Sequence, residues 1–131
     1  MRSVVVDASA GVQLILGGVD GRSLADQLAF PARVWVPEHY YLEVAGTLRR
    51  LERRRQLVGG EASGLLDEAL YGNAVRVTLR ALLGAAWARR GHVTVADALY
   101  VVLAEMLGAT LVTADRRLAK APGLRVPTIT P

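Results

Sequence analysis

The run Ser3-Val4-Val5-Val6-Asp7-Ala8-Ser9 decides the fold. Three consecutive valines leave no polar face, so the run reads as a strand buried on both sides, as in a parallel sheet, and Asp7 closes it. Ser9 is placed to cap a helix carrying Val12, Leu14, Ile15 and Leu16, which Gly17-Gly18 ends. A second short helix is expected from Ser23 to Ala29, ahead of Pro31, and Val34-Trp35-Val36 is the next strand. Pro37 at a first helical position starts a long helix to about Gln56, with Tyr41, Val44, Ala45 and Leu48 on its apolar stripe.

Further along, Glu61 to Tyr71 reads as a helix closed by Gly72, Val75 to Leu79 as a third strand and Ala81 to Arg89 as another helix. Thr94 to Leu107 is apolar nearly all round, the pattern of a central buried helix, and Gly108 ends it. Thr110 to Thr113 is the fourth strand, a short helix runs from Asp115 to Lys120, and Arg125 to Ile129 is at best an edge strand because Pro127 interrupts it. Strands alternating with helices predict an α/β fold with a central parallel sheet of four to five strands. Residues 1–131 are read as one domain, since the length is near the common domain size and no linker or repeat is visible.

Composition narrows the classes further. With 52% apolar and 21% charged residues the chain is globular rather than disordered. The lack of Cys excludes disulfide frameworks, thiolate metal sites and Cys nucleophiles. Ala98 to Ala104, the longest apolar run, is far too short to span a membrane, and Asp7 comes too early for a signal peptide, so a cytoplasmic protein is expected. The basic residues are Arg throughout except for Lys120.

In an open parallel sheet, ligands bind beyond the carboxyl ends of the strands. Asp7 follows the first strand directly and Asp115 follows the fourth. A helix over residues 95–107 descends roughly 20 Å and the strand from Thr110 climbs back about 13 to 16 Å, which returns Asp97 to the level of Asp115. Glu43 belongs to the second turn of the helix leaving the second strand, at the same edge. Taken singly, each acid has a plain structural use. Asp7 suits a turn, Asp115 an N-cap, Asp97 a capping box with Thr94, and Glu43 an exposed helix face paired with Arg. Four carboxylates brought together would repel one another and call for a cation, and oxygen ligands select Mg2+ or Mn2+.

At these residues the chain resembles the PIN-domain ribonucleases, and among them the VapC-type toxins of VapBC toxin–antitoxin systems. The likeness spans essentially the whole chain and rests on four blocks. These are Val4-Val5-Val6-Asp7-Ala8-Ser9, Pro37-Glu38 through Glu43-Val44-Ala45, Val95-Ala96-Asp97-Ala98-Leu99-Tyr100, and Leu111-Val112-Thr113-Ala114-Asp115-Arg116-Arg117-Leu118. The resemblance implies a single-domain PIN-like fold with Asp7, Glu43, Asp97 and Asp115 as metal ligands, and with Thr113 and Ser9 as supporting hydroxyls. It also implies an RNA substrate, an inhibitory antitoxin partner and a homodimer. Gly46 departs from the larger residue that similar proteins often carry in the Glu43 helix.

The expected activity is therefore a Mg2+- or Mn2+-dependent endoribonuclease. Asp7, Asp97 and Asp115 hold the principal ion, Glu43 completes or bridges a second site, Thr113 orients a ligand, and activated water attacks phosphorus to leave 5′-phosphate and 3′-hydroxyl ends. Without the four acids the remaining charge is 16 basic against 8 acidic residues, since 12 minus 4 is 8. A basic body around an acidic pocket suits a nuclease. Arg49, Arg50, Arg53, Arg54 and Arg55 form a solvent-facing run that could track a phosphate backbone or pair with acidic residues, and one of Arg89, Arg90, Arg116 and Arg117 could hold the scissile phosphate. His39 and His92 lack ligand spacing and read as surface or hydrogen-bonded residues, Trp35 and Trp87 as core or interface, and Tyr41 and Tyr100 as buried. Two other readings remain. A receiver-like phosphoryl-transfer domain expects paired early acids and a late Lys, whereas Asp7 is solitary; a catalytically inactive PIN-like module would bind a partner or RNA without metal.

Overall fold

A computed structural model describes residues 1–28 and 31–131. Strand β1 (Arg2–Val6) is the centre of a five-stranded, wholly parallel sheet of order β3-β2-β1-β4-β5. The other strands are β2 (Ala32–Pro37), β3 (Val75–Val77), β4 (Thr110–Val112) and β5 (Thr128–Ile129). Val4, Val5 and Val6 are buried, as a strand with neighbours on both edges and helices packed against it requires. Val4 stands opposite Val34 of β2 and Thr110 of β4. The chain leaves β1 towards β2 on one side and reaches β4 on the other, so the carboxyl end of β1 is the point where strand order reverses and a crevice opens.

The helices are α1 (Ala8–Leu16), α2 (Val19–Gln27), α3 (Tyr40–Arg53), α4 (Glu61–Leu70), α5 (Leu83–Trp87), α6 (Val95–Leu107) and α7 (Arg116–Ala119). Helix α6 packs on β1, β2 and β4, and residues 98–104 are all buried, as its all-round apolar pattern predicts. Gly108, at φ 59°, ends it in the left-handed conformation that glycine adopts without strain. Helices α1, α3 and α4 pack on one another. Among the described residues no helix is long and apolar enough to cross a membrane.

Several boundaries differ from the sequence reading. The expected helix over 81–89 is a 3₁₀ turn, Leu79–Ala81, followed by the short α5; only Leu82 and Ala86 anchor the segment in the core, and Gly84 weakens it. The third strand stops at Val77 because its one partner, β2, ends at Pro37. Pro37 itself closes β2 instead of opening the helix. Glu38 N donates to Val77 O, so by alternation the missing N–H of Pro37 faces β1, where pairing has already ended at Trp35. The second helix begins at Val19 rather than Ser23 and runs to Gln27; Ala29 lies outside the described residues.

Candidate active site

One cleft of about 760 Å³ opens at the carboxyl end of β1, and its walls include Asp7, Glu43, Asp97 and Asp115. Each arrives on a different element. Asp7 follows β1, Glu43 lies in the first turn of α3, Asp97 in the first turn of α6, and Asp115 is the N-cap of α7 beyond β4. The N-cap expected of Asp115 is present, Asp7 caps a helix where a turn was expected, and of the Asp97 capping box only the half made by the Thr94 hydroxyl forms. Asp7 Oδ1 accepts from Ala10 N at 2.9 Å, Asp115 Oδ1 accepts from Arg117 N at 2.9 Å, and Thr94 Oγ1 accepts from Asp97 N at 3.1 Å. The residue that caps α1 is thus Asp7, not Ser9, because it occupies the extended position just before the helix.

Ser9 is freed for other work. Its Oγ donates to Asp7 Oδ1 at 2.6 Å and accepts from Ala114 N at 2.9 Å. Thr113, fully buried, donates from Oγ1 to Asp7 Oδ2 and accepts from Asp115 N at 3.0 Å. The two hydroxyls therefore clamp both oxygens of Asp7 and tie them to the backbone that carries Asp115. Burial pushes the Asp7 carboxyl above its ordinary range, the bonds from Ser9, Thr113 and Ala10 oppose that rise, and the charge of Asp97 adds to it. Asp97 is raised too, by burial first and then by the charges of Asp115 and Glu43, against the help of Thr94 and Arg117. Asp97 thus links the group, feeling Asp115 and Glu43 and being felt by Asp7.

Glu43 is positioned by Tyr100, buried as expected, and by His39, hydrogen-bonded as expected, although the sequence reading assigns neither a role at the site. Tyr100 donates from its hydroxyl to Glu43 Oε1 at 2.6 Å, and burial together with that carboxylate drives the phenol pKa well up. The His39 ring lies 4.7 Å from Tyr100, donates from Nε2 to Ala96 O at 2.9 Å, and stands 3.6 Å from Glu43 Oε1. His39 is one turn before Glu43 on its helix, and that i, i+4 spacing was the available signal. Asp20 and Gln13 also line the cleft and were likewise missed. Gly17, left-handed at φ 69°, turns α2 back across α1, and Gly21 lets the helices touch: a Cβ there would meet Gln13 O at 2.1 Å.

Among the described residues no three His, Asp or Glu side chains already close on a single point as a metal-ligand set. The carboxylates line the cleft, and those of Asp7, Glu43 and Asp115 are each held by a hydroxyl or an amide. Their chemistry fits a hard cation: oxygen donors only, two carboxyls raised by burial and mutual repulsion, and a long Arg117–Asp115 contact of 3.8 Å as the nearest Arg or Lys ion pair to any of the four.

The remaining candidates separate clearly. Arg89 is spent on Glu105, half-buried, which removes it from the set that could bind a phosphate. Arg90 stacks on Trp87 at 4.6 Å and bonds its carbonyl, and Arg116 reaches Pro131 O at 3.4 Å. Trp87, the last residue of the short α5, is 59% exposed and so not a core residue. Trp35 and Tyr41 are half-buried, Tyr40 and Tyr100 are buried, and Tyr71 is open to solvent. Arg49, Arg50, Arg53, Arg54 and Arg55 are all exposed, as expected, and of these Arg50 alone lines the cleft.

Comparison with known proteins agrees with this architecture. The model of the PIN domain family matches residues 4–124. Ribonuclease VapC3 of Mycobacterium tuberculosis is 38% identical over 118 residues, covering 90% of this chain and 86% of that one. Among solved structures, the Mycobacterium tuberculosis VapC20 toxin, described as cleaving the sarcin-ricin loop, superposes with a TM-score of 0.71 at 17% identity over 98% of this chain and 99% of that one. VapBC2 of Rickettsia felis, bound to a DNA fragment from its promoter, gives 0.65 at 15% identity over 97% and 98%. The chain belongs to the PIN-domain family, in the group of the VapC ribonucleases.

Proposed function

We propose that this protein is a Mg2+- or Mn2+-dependent endoribonuclease acting as the toxin of a type II toxin–antitoxin pair. The observation that carries the reading is the arrival of Asp7, Glu43, Asp97 and Asp115, from four separate elements, on one cleft. Membership of the VapC ribonucleases supports the RNA substrate, and the VapBC2 neighbour supports a cognate antitoxin as inhibitor. The toxin is expected to work as a homodimer within that complex, in the cytoplasm where its RNA is found.

Asp7, Asp97 and Asp115 would hold the principal ion, and Glu43 would complete that site or reach a second. A bound hard cation supplies a nucleophilic water at neutral pH, polarises the phosphoryl group and offsets the charge of the departing oxygen. The chain does the positioning. Ser9 and Thr113 fix the Asp7 carboxylate in one orientation, and Thr113 also sets its spacing from Asp115. Tyr100 fixes one oxygen of Glu43, a residue that lines the cleft. Burial, and after it the neighbouring negative charges, raise the proton affinity of Asp97, so a cation and a proton compete for the same oxygens.

Cleavage of RNA with Mn2+, with excess chelator, and by Asp97→Asn tests this. Cutting by the wild type with the ion, lost in both other arms, is the expected result. Undiminished cleavage in the chelator or by the variant overturns the mechanism.

A further inference from the structure

The acidic cleft has to admit a polyanion that its own charge repels. Two features of its rim answer that problem. On one wall, Glu43, Gly46, Thr47 and Arg50 form an i, i+3, i+4, i+7 stripe of α3, which puts Arg50 about 10 Å along the axis from Glu43. Among the described lining residues Arg50 is the one Arg or Lys. It folds back along the helix: Nη2 donates to Thr47 Oγ1 at 2.9 Å, and Nη1 lies 3.8 Å from where a Cβ on residue 46 would stand. Gly46 keeps that space clear.

Asp97 and Asp115 also line a second cleft, of about 300 Å³, whose wall carries His92, Thr94, Arg117 and Lys120. The two clefts therefore meet at the same two acids. Arg117 is 94% exposed and reaches Asp115 only at 3.8 Å, a contact weak enough to be exchanged for a phosphate. Clefts of this size are on the scale that takes small ligands, room for a few nucleotides of one strand and not for a duplex.

We propose that the two clefts are one continuous track for an RNA strand. The scissile phosphate sits over the acids, with flanking phosphates held by Arg50 on one arm and by Arg117 and Lys120 on the other. This rests on the nuclease reading above and extends it by naming what grips the substrate on each side of the cut.

The test uses a fluorescent single-stranded phosphorothioate RNA of about twelve nucleotides, which keeps its charges and resists cleavage, with binding followed by anisotropy in Mn2+ between 50 and 200 mM salt. Arg50→Ala and the pair Arg117→Ala with Lys120→Ala should each weaken binding about tenfold and flatten the dependence of log Kd on log salt by about 0.7 per cation removed. Arg80→Ala, at an exposed arginine that lines neither cleft, should do neither. Gly46→Leu, which keeps the charge but fills the space beside the guanidinium, should mimic Arg50→Ala, whereas Gly46→Ala should not. Arg50, Arg80, Arg117 and Lys120 are exposed, so thermal melts of their alanine variants should match the wild type. Wild-type affinity and salt slope for either arm's variant overturn the track. Cleavage of ordinary RNA run in parallel separates the two claims: a wild type that cuts while the arm variants bind normally refutes only the track, and a wild type that binds through both arms but never cuts refutes only the nuclease. A wild type that does not bind the strand refutes both.

Discussion

Thr113→Val removes one hydroxyl from a fully buried site and changes little in shape. That hydroxyl donates to Asp7 Oδ2 and accepts from Asp115 N at 3.0 Å. A hydrogen bond to a charged group contributes about 1.5 to 3 kcal/mol, and an amide left without its acceptor adds about 1 kcal/mol, so the variant should lose about 3 kcal/mol at pH 7. That is a large share of the roughly 5 to 15 kcal/mol that holds a domain folded. The loss has a sign in pH. The folded Asp7 carboxyl already lies above its unfolded value, so ionising it costs stability as pH rises; removing Thr113 raises it further and enlarges that cost. The difference between variant and wild type should be greatest at neutral pH and shrink as pH falls through the raised carboxyl values. Urea unfolding at a series of pH values measures it. A difference below about 0.5 kcal/mol at pH 7, or one independent of pH, would refute the clamp.

Four further outcomes are expected. Tyr100→Phe should cost only about 1 kcal/mol of stability, because Glu43 is partly solvated, yet weaken Mn2+ affinity several-fold by calorimetric titration. Asp97→Asn should leave the metal-free protein as stable as the wild type or up to about 1 kcal/mol more so, by removing repulsion, while abolishing cleavage; a destabilised variant would mean that Asp97 is structural. Gly21→Ala should destabilise by about 1 to 3 kcal/mol in spite of better helix propensity, since the added methyl meets Gln13 O at 2.1 Å, and a neutral or stabilised melt would show that the α1–α2 contact can relax. Mn2+ at a hundredfold excess over its Kd should raise stability by about 2.7 kcal/mol at pH 7 and lose that effect, as pH falls, at a higher pH than an ordinary Asp carboxyl near 3.8 would dictate.

The strands and the four acids were legible because each signal was local and repeated. Valine runs closed by acids mark the carboxyl edge of a parallel sheet, and the length of residues 95–107 fixes where Asp97 must return. The cap of α1 was misread because Ser and Asp are both good caps two residues apart, and only the tertiary partners Thr113 and Ala114 decide between them. Pro37 was assigned to a helix start because its strand register, which leaves its nitrogen facing an unpaired edge, is a property of the sheet. The i, i+4 spacing of His39 and Glu43 was legible and unused, whereas Asp20 and the two-armed geometry around Asp97 depend on how helices are rotated and crossed, which periodicity alone does not encode.

Crystals grown with Mn2+ and measured for its anomalous scattering would examine the central claim without recourse to activity. A peak enclosed by the carboxylates of Asp7, Asp97 and Asp115, with Glu43 beside it, is the predicted result. Density confined to other surfaces, with those four side chains still held as they are here, would contradict it.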